Sequence, residues 1–258
     1  VILCSNPVAY QEKEALYLET RQKETRILAD DLVKRLPIVE ATDPIEKEWI
    51  WRSRTLARFQ KYLSENARHS GAQGIKILDL GCGNGWMSNK LAEQPGCEVW
   101  AVDLNLEELK QAARLFGREN LHFIYADILS LKEAPEMGFE KPCSAIQRFD
   151  FIVLAASVQY FPDLSVLIQK LRNLLNTKGE IHILDAPFYP NTAAQLAAKS
   201  RSIAYYTKLG MPEMAQYYHH HLWPEALQLG AENLNNTLKT RVLQGFKWLA
   251  PFPWIRFR

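Results

Sequence analysis

An apolar strand that runs directly into three alternate glycines is the feature that most constrains this chain. The strand contains Ile77 and ends at Asp79, which is followed by Gly81, Gly83 and Gly85. Glycine has no Cβ and adopts positive φ readily, so such a loop can turn sharply and lie against a ligand. The segment therefore predicts a strand, a tight loop and a helix that bind a nucleotide-like cofactor.

The spacing of these glycines separates two classes of cofactor. A dinucleotide-binding loop reads G-x-G-x-x-G and directs a helix N-terminus at a pyrophosphate. This loop reads D-x-G-x-G-x-G from Asp79 to Gly85. A carboxylate at that position repels a pyrophosphate and suits a cationic ligand group. A glycine turn that serves only tight packing is the structural alternative.

Two further apolar runs of strand length each end in a carboxylate. Residues 97–102 lead to Asp103, and residues 121–126 lead to Asp127. In an α/β unit Asp103 would lie beside the glycine loop, where a carboxylate can accept hydrogen bonds from both ribose hydroxyls of a nucleoside. Because ligands of open α/β sheets bind outside the carboxyl ends of the strands, the acids are predicted to line one site.

Further elements follow the third acid. Apolar runs over residues 149–155 and 179–184 predict two more strands, and the spacing between them predicts a helix over residues 164–175. A second helix is predicted over residues 191–209. The connection over residues 129–148 is long, and it is either a functional loop or a tolerated insertion.

Asp79, the three glycines, Asp103 and Asp127 together resemble the motifs of the class I S-adenosylmethionine-dependent methyltransferases. The resemblance covers roughly residues 74–186 and includes five strands in order. It implies a Rossmann-like, doubly wound α/β fold. We expect a mostly parallel seven-stranded sheet with helices on both faces and an N-terminal helical cap.

The resemblance also implies the cofactor, S-adenosylmethionine, and the residues that bind it. In the family the glycine loop passes beneath the amino acid moiety of the cofactor, and the third acid frames the adenine with the residue after it, here Ile128. The segment that begins at Ala155 closes the cofactor pocket. The residues implied to contact the cofactor are Asp79, Gly81, Cys82, Gly83, Asn84, Gly85, Asp103, Leu104, Asp127, Ile128, Ala155 and Tyr160.

The chain is predicted to have two parts. Residues 1–73 form a helical cap, and residues 74–258 form a methyltransferase domain with an acceptor-site helical insertion at about 187–230. The cap is predicted to contain a helix from Tyr10 to Leu36, followed by a second helix that ends before a break at residues 71–74. The buried positions of this second helix are expected to be Trp49, Leu56, Phe59 and Leu63. Two amphipathic helices cannot bury their apolar faces alone, so we expect the cap to cover the cofactor.

The composition of the chain bears on three other kinds of partner, which are nucleic acids, membranes and metal ions. With 47% hydrophobic residues and a net charge of +2, the chain is neither disordered nor strongly basic, so nucleic acid is not expected as a partner. No apolar run approaches the roughly 20 residues of a spanning helix, so no membrane partner is expected. Arg52, Arg54 and Arg58 form the nearest thing to a basic face and are expected to be solvated. Four scattered cysteines favour reduced thiols in a cytoplasmic protein without a zinc site.

Residues after the fifth strand are expected to form the acceptor site. Aromatic side chains that could line an apolar pocket, or pack in the core, are Tyr189, Tyr205, Tyr206, Tyr217, Tyr218 and Trp223. His219, His220 and Tyr160 are the candidates for a catalytic base or an acceptor-positioning group, and a surface or packing role is the alternative for the histidines. Consecutive residues of a helix point about 100° apart, so His219 to His221 are not expected to bind a metal. His182, inside the fifth strand, is expected to be a packed core histidine.

The resemblance implies transfer of a methyl group from a sulfonium to an O, N or C atom of a small molecule by in-line displacement. The position after the fourth strand, Ala155 to Gln159, lacks the Asn/Asp-Pro-Pro-Tyr/Phe motif of enzymes that methylate amino groups of nucleic acids or protein glutamine. Three alternatives stay open: a non-catalytic cofactor-binding scaffold, a methyltransferase acting on RNA or protein, and an NAD-dependent dehydrogenase. The glycine spacing disfavours the dehydrogenase, and the intact acids disfavour the scaffold.

Overall fold

Strands and helices alternate along most of the chain. The computed structural model describes residues 1–40, 45–66, 74–131, 148–246 and 248–258. The strands are β1 (Ile2–Leu3), β2 (Ile75–Leu80), β3 (Cys97–Asp103), β4 (Leu121–Tyr125), β5 (Phe149–Ala155), β6 (Leu175–Leu184), β7 (Glu232–Asn233) and β8 (Ile255–Phe257). The helices are α1 (Gln11–Lys23), α2 (Asp30–Arg35), α3 (Glu46–Asn66), α4 (Trp86–Ala92), α5 (Leu106–Leu115), α6 (Leu164–Asn173), α7 (Thr192–Leu209), α8 (Trp223–Gln228) and α9 (Leu238–Gly245). Short 3₁₀ turns cover Pro7–Tyr10, Val158–Tyr160 and Pro212–Tyr217.

The strands form one sheet in the order β1-β4-β3-β2-β5-β6-β8-β7. Neighbours from β1 to β6 pair in parallel, and β8 pairs antiparallel with β6 and β7. From β2 the chain adds β3 and β4 on one side of the sheet, and it then returns to add β5 and β6 on the other side of β2. The strand order thus reverses between β2 and β5, and ligands of doubly wound sheets bind at such a switch point. The predicted doubly wound, mostly parallel fold is therefore confirmed.

The sheet has one more strand than the seven predicted. Within the described residues it contains eight strands, and β1 at one edge, like β7 and β8 at the other, was not located from the sequence. Ile2 and Leu3 pair with Ile124 and Tyr125 of β4. A strand of two residues is too short to leave a periodic pattern in the sequence, so its existence depends on the edge that β4 offers.

Both faces of the central strands are buried, which explains their nearly continuous apolar sequence. Ile77 belongs to the core that includes Phe59 of α3 and Leu91 of α4. Its neighbour Leu78 belongs to the core on the opposite face, with Leu167 of α6. Since alternate residues of a strand share a face, Asp79 points to the same side as Ile77, toward α4.

The N-terminal cap differs from the prediction in one respect. The helix predicted from Tyr10 to Leu36 is two helices, α1 and α2, so the prediction of one continuous helix was wrong. The chain turns at Thr25, whose φ of 57° lies in the left-handed region. Residues 19–26 are all polar, so the sequence offers no apolar face that would favour continuing the helix past Lys23.

The rest of the cap follows the expectation. α3 buries the four predicted positions, Trp49, Leu56, Phe59 and Leu63. Glu14 of α1 accepts hydrogen bonds from Leu106 N and Glu107 N at the start of α5. These contacts fix the cap to the edge of the sheet where the strands end. Most of the predicted break at residues 71–74, and most of the connection over residues 129–148, lies outside the described residues. The division of the chain at residue 73 stays a prediction.

His182 lies in the core, as predicted. It is fully buried on β6. Trp254 Nε1 donates a hydrogen bond of 3.0 Å to His182 Nδ1, and His182 Nε2 lies 3.2 Å from Glu180 Oε2. With Nδ1 as acceptor, the ring is a neutral imidazole whose Nε2–H donates to Glu180. Burial lowers the pKa of His182, which favours this neutral form.

Candidate cofactor site and acceptor cavity

The loop between β2 and α4 leaves no room for side chains at its glycines. Gly81 and Gly85 have φ of 78° and 71°. A Cβ at Gly81 would lie 2.4 Å from Cβ of Ser157, and a Cβ at Gly85 would lie 2.7 Å from the ring of Phe123. Both positions thus require glycine for conformation and for space. The loop presents bare backbone to the region beyond the strand ends.

Asp79 lies at the base of this loop with 2% of its surface exposed. Ser88 Oγ of α4 donates a hydrogen bond of 2.6 Å to Asp79 Oδ2. Burial raises the pKa of Asp79 to about 7, although the hydrogen bond from Ser88 acts to lower it, and the negative charge of Asp103 raises it further. A cation placed beside this carboxyl would stabilise its ionised form. The geometry therefore fits the cationic ligand group expected there.

Asp103 joins the end of β3 to the glycine loop. Its Oδ2 accepts a hydrogen bond from Gly83 N at 2.7 Å, and its Oδ1 accepts one from Asn105 N at 2.8 Å. Burial raises the pKa of Asp103, whereas these backbone N–H groups lower it. Each carboxylate oxygen can accept a second hydrogen bond, so Asp103 keeps capacity for ribose hydroxyls. Glu108, which the sequence reasoning missed, lies beside Gly83, and burial raises its pKa to about 7.

Asp127 lies just after β4 and contacts the N-terminal segment. The hydroxyl of Tyr10 donates to Asp127 Oδ2 at 2.9 Å, and Leu129 N donates to Oδ1 at 3.1 Å. Asp127 N donates to Ser5 Oγ at 2.9 Å. Ile128 beside it is buried. The N-terminal segment thus forms one wall at the end of the site where adenine is expected.

One cavity of about 430 Å³ joins these side chains. Its size falls in the range of roughly 300–1,000 Å³ that is usual for small-molecule sites. The predicted cofactor residues on its wall are Asp79, Gly81, Cys82, Gly83, Asn84, Asp103, Leu104, Asp127, Ile128, Ala155 and Tyr160. Gly85 lies behind the wall, where it caps α4 and packs against Phe123 and Ala112. The structure thus brings together every predicted cofactor residue except Gly85.

Tyr160 is the one catalytic candidate that reaches this cavity. Its hydroxyl oxygen accepts a hydrogen bond of 3.1 Å from Arg21 Nη2, and its ring packs edge-on against Tyr17 at 5.8 Å. Burial raises the pKa of Tyr160, while the positive charge of Arg21 opposes the rise. A phenol that stays protonated can orient an acceptor, but it is poorly suited to take a proton from one.

His219 and His220 face a different cavity. That cavity, of about 770 Å³, is also lined by His221, Asp163 and Glu225. The segment that carries the histidines lies against the turn after β5, where His219 N donates a hydrogen bond of 2.7 Å to Gln159 O. Burial lowers the pKa of both His219 and His220. The structure does not bring these two histidines to the predicted cofactor residues.

Most of the aromatic residues predicted for an acceptor pocket pack elsewhere. Tyr217 lies on the wall of the cofactor cavity, and Tyr218 lies on the wall of the histidine cavity. Tyr206 packs with Met211 and Met214 in a small separate core. Trp223 packs edge-on against Phe188. For Tyr206 and Trp223, the alternative of ordinary packing describes the structure better than a shared pocket does.

A network of arginines on the cap forms the opposite wall of the cofactor cavity, and the sequence reasoning missed it. Arg26 Nη2 lies 2.7 Å from Glu48 Oε2, and Arg52 Nη2 lies 2.7 Å from Glu48 Oε1. Arg21 lies over the ring of Tyr17 and pairs with Glu24 at 2.9 Å. The cavity therefore has acids along the strand ends and guanidinium groups beneath the cap.

The predicted solvated face of α3 is wrong. Arg52 stacks on Trp49 at 5.0 Å and lines the cavity, with 24% of its side chain exposed. Arg54 stacks on Trp248 at 4.9 Å, and Arg58 stacks on Trp254 at 5.1 Å. Each guanidinium covers an indole ring, which combines cation–π attraction with burial of the arginine stem. An arginine three residues after a tryptophan, as in Trp49 and Arg52, was the available signal.

Asp185 is a second cavity residue that the sequence reasoning missed. It follows β6 directly, lines the cofactor cavity and has a φ of 53°. Thr55 Oγ1 of α3 donates a hydrogen bond of 2.8 Å to Asp185 Oδ1. Burial raises the pKa of Asp185, although Thr55 and Arg52 act to lower it. The signal for it was the same as for the other acids, a carboxylate directly after an apolar strand.

Two further features concern the part of the chain that the structure describes. None of its His, Cys, Asp and Glu residues forms a group of three or more that could hold a metal ion. None of its helices has both the length and the apolar character needed to cross a membrane.

Known proteins share the sequence pattern. The profile of a family described as methyltransferase domain matches residues 72–241. A malonyl-[acyl-carrier protein] O-methyltransferase of Halalkalibacterium halodurans is 31% identical over 154 residues, which are 57% of this chain and 53% of the relative. A ubiquinone biosynthesis O-methyltransferase of Xylella fastidiosa is 32% identical over 122 residues, 47% of this chain and 45% of the relative. The chain spans about half the length of these relatives.

Solved structures share the fold. The YcgJ protein of Bacillus subtilis superimposes with a TM-score of 0.52 at 16% identity over 70% of each chain. The magnesium protoporphyrin IX methyltransferase of Synechocystis PCC 6803, solved with bound S-adenosylhomocysteine, gives a TM-score of 0.51 at 16% identity, over 83% of this chain and 86% of that one. The family profile covers more than half of the chain and includes the glycine loop with all three acids. This chain belongs to the class I S-adenosylmethionine-dependent methyltransferase family.

Proposed function

We propose that the protein transfers a methyl group from S-adenosylmethionine to an O, N or C atom of a small molecule. One observation carries this proposal: Asp79, Asp103 and Asp127 lie at three neighbouring strand ends and line one cavity with the glycine loop. The two relatives described above are named as O-methyltransferases, which favours oxygen as the acceptor atom.

The residues present fit this cofactor in order along the sheet. Asp127 and Ile128 after β4 would hold the adenine, and Asp103 at the end of β3 would accept the ribose hydroxyls. Asp79 and the loop after β2 would hold the amino acid moiety. The ammonium group of this moiety and the neighbouring sulfonium carry positive charge, which favours the ionised form of a buried carboxylate. The loop has no side chain at Gly81 to keep the cofactor from its backbone.

When bound there, the cofactor supplies a methyl group on a cationic sulfur that becomes a neutral thioether on transfer. The chain's own contribution is to orient the acceptor and exclude water, which is the main source of acceleration for a displacement of this kind. Trp49 of the cap packs edge-on against Trp86 at 5.2 Å beside the glycine loop. Tyr17 and Tyr160 meet in the same way. These four rings line the cavity between cap and sheet.

Calorimetric titration with S-adenosylhomocysteine tests the proposal. Asp103→Asn keeps the shape of the side chain and removes the charge, so it should weaken binding by about 10- to 100-fold, the value of one charge-assisted hydrogen bond. Glu98→Gln is the matched control on the same strand, because the Glu98 side chain is 44% exposed and pairs with His122. Its affinity should equal that of the wild type. A wild type that does not bind, or an Asp103→Asn variant that binds as well, would overturn the proposal.

The same preparation separates the alternatives. An NAD-dependent dehydrogenase would bind NAD more tightly than S-adenosylhomocysteine. A non-catalytic scaffold would bind the cofactor and hold it without turnover in the presence of every acceptor. A methyltransferase of RNA would lose activity steeply as salt is raised, since phosphate contacts release counterions.

A further inference from the structure

A fourth carboxylate continues the row of strand-end acids. Along the sheet, Asp127 lies just after β4, Asp103 is the last residue of β3, and Asp79 is the residue before the last of β2. Beyond β2 in the same sheet, β5 ends at Ala155 and β6 is followed directly by Asp185. All five residues line the same cavity. Neighbouring strands are about 4.8 Å apart, so β6 lies about 10 Å from β2 across the sheet. Asp185 thus lies on the side of Asp79 that is opposite to the expected ribose and adenine.

The strand register places Asp185 further out than Asp79. Asp79 pairs with Val153 of β5, and Val153 pairs with His182 of β6. Asp185 is three residues beyond His182 in sequence, which at about 3.3 Å per residue is up to 10 Å beyond the level of Asp79. This position is past the expected amino acid moiety, in the part of the cavity that the acceptor would occupy.

The backbone and the cap hold Asp185 in place. A φ of 53° is uncommon for a residue other than glycine, and such conformations cluster at functional sites. Thr55 of α3 donates to Oδ1 at 2.8 Å, while Oδ2 has no hydrogen-bonding partner among the described residues. The charged groups that act on the carboxyl are Arg52 and Glu48, both on α3. One oxygen is therefore fixed and the other is available to a ligand.

We propose that Asp185 faces the acceptor and takes the proton from its hydroxyl group during methyl transfer. The inference rests on the proposed function and adds that the acceptor is an alcohol or a phenol. As the O–H bond breaks, its proton passes to Asp185 Oδ2 and its electron pair stays on oxygen. That oxygen forms the bond to the methyl carbon, and the pair of the breaking carbon–sulfur bond goes to sulfur. Asp185 is left as a neutral acid and returns its proton to water.

Burial supports this role, because a carboxylate whose charged form is disfavoured is a stronger base. Asp185→Asn is a conservative test variant. Asparagine has the same size, can accept the hydrogen bond from Thr55 and adopts positive φ more readily than most residues. Asp163→Asn is the matched control, since Asp163 caps α6 and lines the histidine cavity.

The kinetic test uses 4-substituted catechols of graded acidity, with 4-substituted benzoates for comparison because a benzoate needs no base. Asp185→Asn should lower kcat on catechols by about 10²- to 10⁴-fold. The loss should be largest for the least acidic catechol, with KM, melting temperature and S-adenosylhomocysteine affinity unchanged. Asp163→Asn should behave as the wild type. A loss that is the same for all catechols, the absence of a loss, or methylation of benzoates alone would overturn the inference.

A second readout needs no acceptor. In the complex with S-adenosylhomocysteine, the ¹³C carboxyl signal of Asp185, assigned with Asp185→Asn, should titrate above the range of ordinary aspartates, because burial raises the pKa of this carboxyl. This measurement applies where no probe is methylated, and an Asp185 carboxyl that titrates in the range of ordinary aspartates would overturn the inference. A wild type that fails to bind S-adenosylhomocysteine contradicts the proposed function instead, so the two failures are distinguishable.

Discussion

Replacing Gly81 by alanine should damage the protein more than the same change at Gly96. The two glycines have φ of 78° and 74°, so both variants carry a similar backbone cost of about 1–2 kcal/mol. At Gly96 an added Cβ meets nothing within 4 Å, whereas at Gly81 it lies 2.4 Å from Ser157 Cβ and 2.8 Å from Ser157 Oγ. Overpacking of this kind adds about 1–3 kcal/mol. Gly81→Ala should thus cost about 2–5 kcal/mol in total.

Urea denaturation of the two variants isolates the contact with Ser157, since their backbone costs cancel. Titration with S-adenosylhomocysteine should show weaker binding for Gly81→Ala and unchanged binding for Gly96→Ala. Adding Ser157→Gly to Gly81→Ala should remove the steric contact and recover part of the stability. The recovery is only partial because the second change also removes the hydrogen bond of 2.6 Å that Ser157 Oγ donates to Leu80 O. If the free energies of unfolding of the two alanine variants agree within about 0.5 kcal/mol, the steric reasoning is refuted.

Two further predictions concern buried carboxylates. Although burial acts to raise the pKa of Glu180, hydrogen bonds from His182, Tyr62 and Arg258 lower it to about 2. The stability that ionised Glu180 contributes is complete above the ordinary pKa of 4.5 and is lost as pH falls toward 2. In acid unfolding, Glu180→Gln should therefore lack this pH dependence. At neutral pH its free energy of unfolding should be lower by about 2 kcal/mol. Because the pKa of Asp79 is about 7, the ratio of wild-type to Asp79→Asn affinity for S-adenosylhomocysteine should fall by up to tenfold per pH unit below that value. A ratio that does not change with pH would show that Asp79 does not bind a cationic group.

The fold was predictable because its signals are local. The apolar run around Ile77 is a strand that is buried on both faces, and such a strand needs no partner sequence to be recognised. Asp79, Asp103 and Asp127 follow such runs directly, so topology alone brings them to one edge. The glycine spacing carries the same information, since Gly81 has no space for a side chain.

The other side of the cavity depends on packing between distant segments. Arg26, directly after the turn at Thr25, pairs with Glu48 on another helix, and residue spacing does not encode that pair. Arg52 was predicted to be solvated because its exposure depends on where α3 docks. His219 was a candidate for a base or acceptor-positioning group, and the sequence did not specify which cavity its segment faces.

A crystal structure of the protein with S-adenosylhomocysteine tests the central claim most directly. The account predicts ribose hydroxyls within hydrogen-bonding distance of Asp103, adenine beside Asp127 and Ile128, and the amino acid moiety over the loop at Gly81. The sulfur should face the part of the cavity that Asp185 lines. A ligand bound elsewhere, or bound in this cavity with its adenine at the Asp185 side, would contradict the account.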